Sequence, residues 1–139
     1  MFQQKAQAFL ALPLKDAASL DLASQIAEVL KGQDIEPVLA TDITSSDALS
    51  DQIQAAIRRA EVVVADLTGA NPNVLFEVGL ALGLSKPVLL LSQGPAKDVP
   101  FDLRTQQVAM YRPEDPATVR RYVELWLRDV RTRRQTAAY

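Results

Sequence analysis

Five short apolar runs, separated by segments of helical periodicity, set the architecture of this 139-residue chain. Residues 7–12 (QAFLAL), 36–41 (EPVLAT), 61–67 (EVVVADL), 86–92 (KPVLLLS) and 105–111 (TQQVAMY) are strand-length and poor in charge. Between and after them lie residues 16–33, 45–60, 74–84 and 116–135, whose apolar residues recur every three or four positions. Strands that are apolar on both faces and alternate with helices predict a parallel sheet covered on both sides. The expected fold is therefore an α/β, flavodoxin- or Rossmann-like three-layer sandwich with a five-stranded, mainly parallel sheet of order 2-1-3-4-5. Val62, Val64, Val88 and Leu90 are expected inside it.

Helix signals refine this reading. Ser45, Ser46 and Asp47 offer caps to the second helix, Gly32 offers a stop to the first, and Leu20, Leu22, Ile26, Val29 and Leu30 form the first helix's apolar stripe. In the last helix Val119, Tyr122, Val123, Leu125, Trp126 and Val130 are expected to point inward. With no linker, repeat or composition shift, residues 1–139 are expected to form one domain.

Composition removes several classes of function. A net charge of −2 offers no basic face for a nucleic-acid backbone. The cluster Arg128, Arg131, Arg133 and Arg134 reads as a solvated helix end. There is neither cysteine nor histidine, so disulfides, thiolate nucleophiles, imidazole catalysis and the usual zinc sites are excluded. No metal or cofactor is expected. The first residues hold too short an apolar run for a signal peptide, and no run is long enough for a membrane span, so a cytoplasmic protein is expected.

In doubly wound sheets ligands bind beyond the carboxyl ends of the strands, at the switch point. Here that brings together the loop after the first strand, with Leu12 and Pro13, and the loop after the third, DLTGANPN. Asn71-Pro72-Asn73 is a helix start: Asn71 can cap, Pro72 fits the first turn, and Gly69 permits a tight backbone. Neither GxGxxG nor GxxxxGK[ST] is present, so dinucleotide and P-loop readings lack their defining residues.

One glutamate, Glu77, interrupts the apolar run NVLFEVGLALGL. It shares a helix face with Asn73, and spacing leaves two readings open: a solvated rim residue, or a partly buried carboxylate aimed at the pocket. If it is only an ion-pair partner, Lys86 or an arginine would be its mate. Asp66 has a similar choice, between capping the turn through the Thr68 and Gly69 amides and facing a ligand. Gly79 and Gly83, on another face, would allow close helix packing.

The segment ADLTGANPNVLFEVGLALGLSKPVLLL resembles the nucleoside 2-deoxyribosyltransferase superfamily and its bacterial TIR-like nucleotide-binding relatives. Their shared signature runs aDlT-x-x-NPNVxyElGxAxaxgKPVill, and VPFDLRTQQVAMY is similar to a PFDLR…Y segment of the same proteins. The resemblance covers about residues 60–111. It implies that Glu77, at the glutamate of the ElG motif, is the nucleophile that attacks C1′ of a nucleoside. It implies an N-glycosidase or glycosyltransferase whose ligand is a nucleoside, nucleotide or NAD-like molecule, with Asp66 assisting at the catalytic site. Leu12, Pro13, Asp66, Thr68, Gly69, Asn71 and Asn73 would bind substrate. A homodimer or larger assembly is also implied, because the family completes its site across subunits. The alternative implied by the TIR-like relatives is a non-catalytic nucleotide-binding module.

The chain departs from the family pattern in four places, one of them the turn after the first strand, which reads LPLKD where the family's is glycine-rich. Asn71 stands six positions before the glutamate, where the transferases carry an acid. Ile53 stands where the preceding helix carries a hydrogen-bonding aspartate, which Asp51 could replace only after a shift. Phe9 is the available aromatic on the first strand, and it has no hydroxyl.

Overall fold

The computed structural model describes residues 5–42, 49–93 and 107–137. The Ser45, Ser46 and Asp47 caps, the segment 94–106 with its PFDLR motif, and the start of the expected last strand lie outside these residues.

The chain runs β1 (Ala6–Ala11), α1 (Ala17–Gly32), β2 (Ile35–Leu39), α2 (Leu49–Arg59), β3 (Val62–Asp66), α3 (Pro72–Gly83), β4 (Val88–Gln93), β5 (Val108–Tyr111) and α4 (Pro116–Ala137). The strands form one sheet in the order β2-β1-β3-β4-β5, with every neighbouring pair parallel. This is the expected three-layer architecture.

The two-residue period of the strands divides the core. Ala8, Leu10, Val62, Val64, Leu89 and Leu91 face α1 and α4, whereas Phe9, Ala11, Val63, Ala65 and Leu90 face α2 and α3. Val62, Val64 and Leu90 are buried as expected, but Val88, at the start of β4, is only partly so. Asp16 caps α1 in a reciprocal capping box with Ser19, where periodicity alone had marked only the stripe of the helix. At the other end of α1 the left-handed residue is Asp34 rather than Gly32.

Two apolar expectations fail for a geometric reason. Leu20 is 57% exposed and Leu125 47% exposed, whereas Val119, Val123, Leu127 and Val130 line the buried stripe of α4. The spacing 119, 123, 127, 130 follows one helix face, from which position 125 is displaced. Tyr122 and Trp126 flank that stripe, partly buried. The arginines of α4 are also more than a solvated end. Arg131 donates to the side chain and carbonyl of Gln33, and Arg134 to the side chain and carbonyl of Glu61. They tie the helix to the amino-terminal edge of the sheet.

Gly79 and Gly83 do not permit close packing. Both are exposed, and a Cβ at either would meet no atom within 4 Å. Gly79 therefore carries only the entropic cost of glycine in a helix. Gly79→Ala is expected to stabilise the protein by about 1 kcal/mol, read as a higher urea midpoint at unchanged slope.

Candidate functional site

α3 begins where the chain leaves β3. The turn Thr68–Ala70 places Gly69 at φ +78° and Ala70 at φ +48°, both left-handed. Asn71 then caps the helix: its Oδ1 accepts from the backbone N–H of Asn73 at 2.9 Å and of Val74 at 3.3 Å. This engages the Asn71 oxygen in starting the helix. Val74, Val78 and Ala81 press α3 onto the sheet, which carries Asn73 and Glu77 to one cleft at the sheet's carboxyl edge.

That cleft, of about 370 Å³, is lined by Leu12, Ala40, Ser50, Ile53, Asn73, Val74, Phe76 and Glu77. Glu77 is 6% exposed, and no described residue donates a hydrogen bond to it or pairs with its charge. Lys86 is not its mate, because the Lys86 ammonium donates to the Arg58 carbonyl at 2.7 Å. Burial without compensation pushes the Glu77 carboxyl up from 4.5 to about 7. Of the two readings left open by spacing, the buried carboxylate facing a cleft is the one observed. Ile53 lines the wall beside it, and Asp51 is exposed and outside the lining.

Asp66 lies elsewhere. It continues the parity of Val62 and Val64, so its side chain falls on the α1/α4 side of the sheet. Its Oδ1 accepts from the Thr68 N–H at 3.0 Å and the Thr68 hydroxyl at 2.6 Å, and its Oδ2 accepts from the Tyr111 hydroxyl at 2.5 Å. Thr68 thus supplies the expected cap through both its amide and its hydroxyl, and the Gly69 amide makes no described bond to Asp66. Tyr111, whose ionisation is pushed up by burial and then by Asp66, stays a neutral donor.

Asp66, Thr68, Gly69 and Pro13 line a second cleft of about 300 Å³, together with Lys15, Gln93, Tyr111 and Arg112. The residues expected to form one site are therefore divided. Leu12, Asn73 and Glu77 share one cleft, Pro13, Asp66, Thr68 and Gly69 border the other, and Asn71 caps the helix between them. Sequence reasoning missed Ser50 and Tyr111 as site residues. Ser50 lies within the second expected helix, and Tyr111 closes the PFDLR…Y segment, but its contact with Asp66 arises only through sheet pairing.

The fold has counterparts among known proteins. The family model described as nucleoside 2-deoxyribosyltransferase matches residues 3–109. The chain belongs to this family. No curated protein sequence matches it. Among solved structures, the 2-desoxiribosyltransferase from Leishmania mexicana superposes with a TM-score of 0.54 at 23% identity, over 63% of this chain and 64% of that one. The CMP N-glycosidase BcmB of Clostridium botulinum gives a TM-score of 0.67 at 16% identity, over 86% and 98% of the two chains. The solution structure of BlsM gives 0.72 at 19% identity, over 91% of each. At such identities the likeness establishes the shared fold. The TIR-like alternative draws no support from these comparisons.

Glu77 lines the first cleft, while Asn71 and Ile53 stand at the two positions where the resemblance implies acids. Phe9, fully buried in the α2/α3 core, brings no hydroxyl. Among the described residues no group of His, Cys, Asp and Glu could hold a metal ion, and no helix is long and apolar enough to cross a membrane.

Proposed function

We propose that the protein is an N-glycosidase or glycosyltransferase acting on a nucleoside or nucleotide, with Glu77 as the group that meets C1′. The observation that carries this reading is a buried carboxylate at a cleft, with no described partner, at the position that the motif resemblance implies for the nucleophile. A structural carboxylate on an apolar helix would have found a cation or a donor.

In this reading the ionised Glu77 attacks C1′ on the face opposite the base, and the C–N electron pair leaves with the base. The positive charge that develops on the sugar ring during departure is balanced by the carboxylate. The glycosyl ester is then opened by water, giving hydrolysis, or by a second base, giving transfer; the incoming group loses a proton to solvent, balancing the one the departed base takes from it. In this reading Asn73, one turn away on the same face, holds sugar hydroxyls, and Ser50 borders the same space. No second ionisable side chain lines the cleft among the described residues, so none of these protonates the departing base. The names of the related structures, a deoxyribosyltransferase and a CMP N-glycosidase, support a ligand with a base, a pentose and optionally a phosphate.

The test is incubation with ribo- and deoxyribonucleosides, their 5′-monophosphates and NAD, followed by chromatography for free base. Release of base from at least one member is expected, and adding a second free base separates transfer from hydrolysis. Calorimetric binding with no release across the panel would replace this reading with a binding module.

A further inference from the structure

We propose, resting on the Glu77 reading, that Tyr111 is a positioning residue: through Asp66 and Thr68 it fixes the turn that starts α3, and so sets where the Glu77 carboxylate stands in its cleft.

The connection is a closed ring of hydrogen bonds. The Tyr111 hydroxyl donates to Asp66 Oδ2 and accepts from Gln93 Nε2 at 3.1 Å. Asp66 Oδ1 accepts from both donors of Thr68, and Thr68 Oγ1 in turn accepts from the Gln93 N–H at 2.9 Å. The ring joins the carboxyl ends of β3, β4 and β5 to the first residue of the 68–70 turn. Asp66 is 3% exposed and Tyr111 6%. Each side-chain polar atom of Asp66, Thr68 and Tyr111 has a partner within the ring, so the ring is a satisfied network, which holds one geometry rather than several.

The backbone beyond Thr68 needs such an anchor. Gly69 and then Ala70 are left-handed, and alanine adopts that conformation only under constraint. The two ends of this pair are held by Thr68, through the ring, and by Asn71, through the helix cap. The apolar face of α3 fixes its depth against the sheet, and the turn fixes its position along its own axis. Glu77 is on the second turn of that helix. A ring on the α1/α4 face of the sheet thereby reaches a carboxylate on the opposite face, without touching the substrate.

Tyr111→Phe removes one donor and keeps the aromatic ring in the core. The expected result is a fall in kcat for base release of about tenfold to a hundredfold, the cost of a displaced reacting group, with KM changed by less than about threefold. The Glu77 titration, followed by carboxyl NMR, is expected to move down from about 7 toward the ordinary carboxylate range as water reaches the loosened helix start. No other described ionisable group lines that cleft to confuse the titration. Ala70→Gly in the Tyr111→Phe background should restore part of both readouts, because glycine holds the left-handed turn without strain. Should Tyr111→Phe not fold, Thr68→Val breaks the same ring from the turn side and is expected to move both readouts in the same direction. A variant that melts earlier yet retains the native kcat and Glu77 titration overturns the proposal and leaves the ring purely structural. If the native protein releases no base, the glycosidase reading fails on its own, and the titration still decides the positioning.

Discussion

Glu77→Gln is expected to lower base release by on the order of a thousandfold or more, the loss seen when a covalent nucleophile is removed. Glutamine keeps the size of the side chain and most of its hydrogen-bonding capacity, but it cannot form the glycosyl ester or offset charge on the sugar ring. The native protein is expected to carry a related signature in its pH profile. The attacking form is the ionised carboxylate, and burial holds Glu77 at about 7. Activity is therefore expected to rise about tenfold per pH unit below that value and to flatten above it. The measurement is free base against time from pH 5 to 9 for both proteins, with circular dichroism to confirm that the variant is folded. Equal rates in the two proteins would end the nucleophile reading.

Much of this was legible in the chain, and the remainder has identifiable causes. The alternation of apolar runs and helical periods predicts the sheet and its order, because a strand apolar on both faces has nowhere to lie except between two helical layers. Glu77 stood out because a carboxylate inside an apolar helix requires a reason, and Asn71 because Asn-Pro-Asn is a helix start. The division of the site was also present in the sequence, as parity. Val62, Val64 and Asp66 share one face of β3, so a helix packed on Val63 and Ala65 could not place its glutamate beside Asp66.

Tyr111 is different. It lies 45 residues from Asp66 and reaches it because β5 pairs with β4 in a register that puts Tyr111 beside Gln93, while Asp66 lies beside Leu91. No local pattern encodes that register. Gly79 and Gly83 illustrate the other limit. Spacing places them on a face different from that of Glu77, but whether that face meets protein or solvent depends on how the helix is docked.

Glu77→Gln is also expected to stabilise the fold, and by an amount that depends on pH. The carboxyl is held at about 7 in the folded protein and returns to 4.5 when the chain unfolds. Between those values the folded state keeps a proton that the unfolded state releases, so stability falls as pH rises through the interval. Below 4.5 both states are protonated and there is no penalty. Above about 7 both are ionised, and the penalty is constant. At about 1.4 kcal/mol per pH unit, the full interval amounts to about 3 kcal/mol. Glutamine never ionises, so the variant should match the native protein near pH 4 and exceed it by about 3 kcal/mol at pH 8. In a chain of this size that is a rise in melting temperature of roughly 6–12 °C. A structural ion pair predicts the reverse sign at pH 8, because removing one charge would strand the other. Urea titrations of both proteins at pH 4.5, 6 and 8 separate the two. A stability difference that does not change with pH would show that folding leaves the Glu77 titration where it stands in the unfolded chain, so that burial imposes no charge penalty. A gain that grows between pH 4.5 and 8, in the same variant that no longer releases base, would show one buried charge lowering stability where it serves activity.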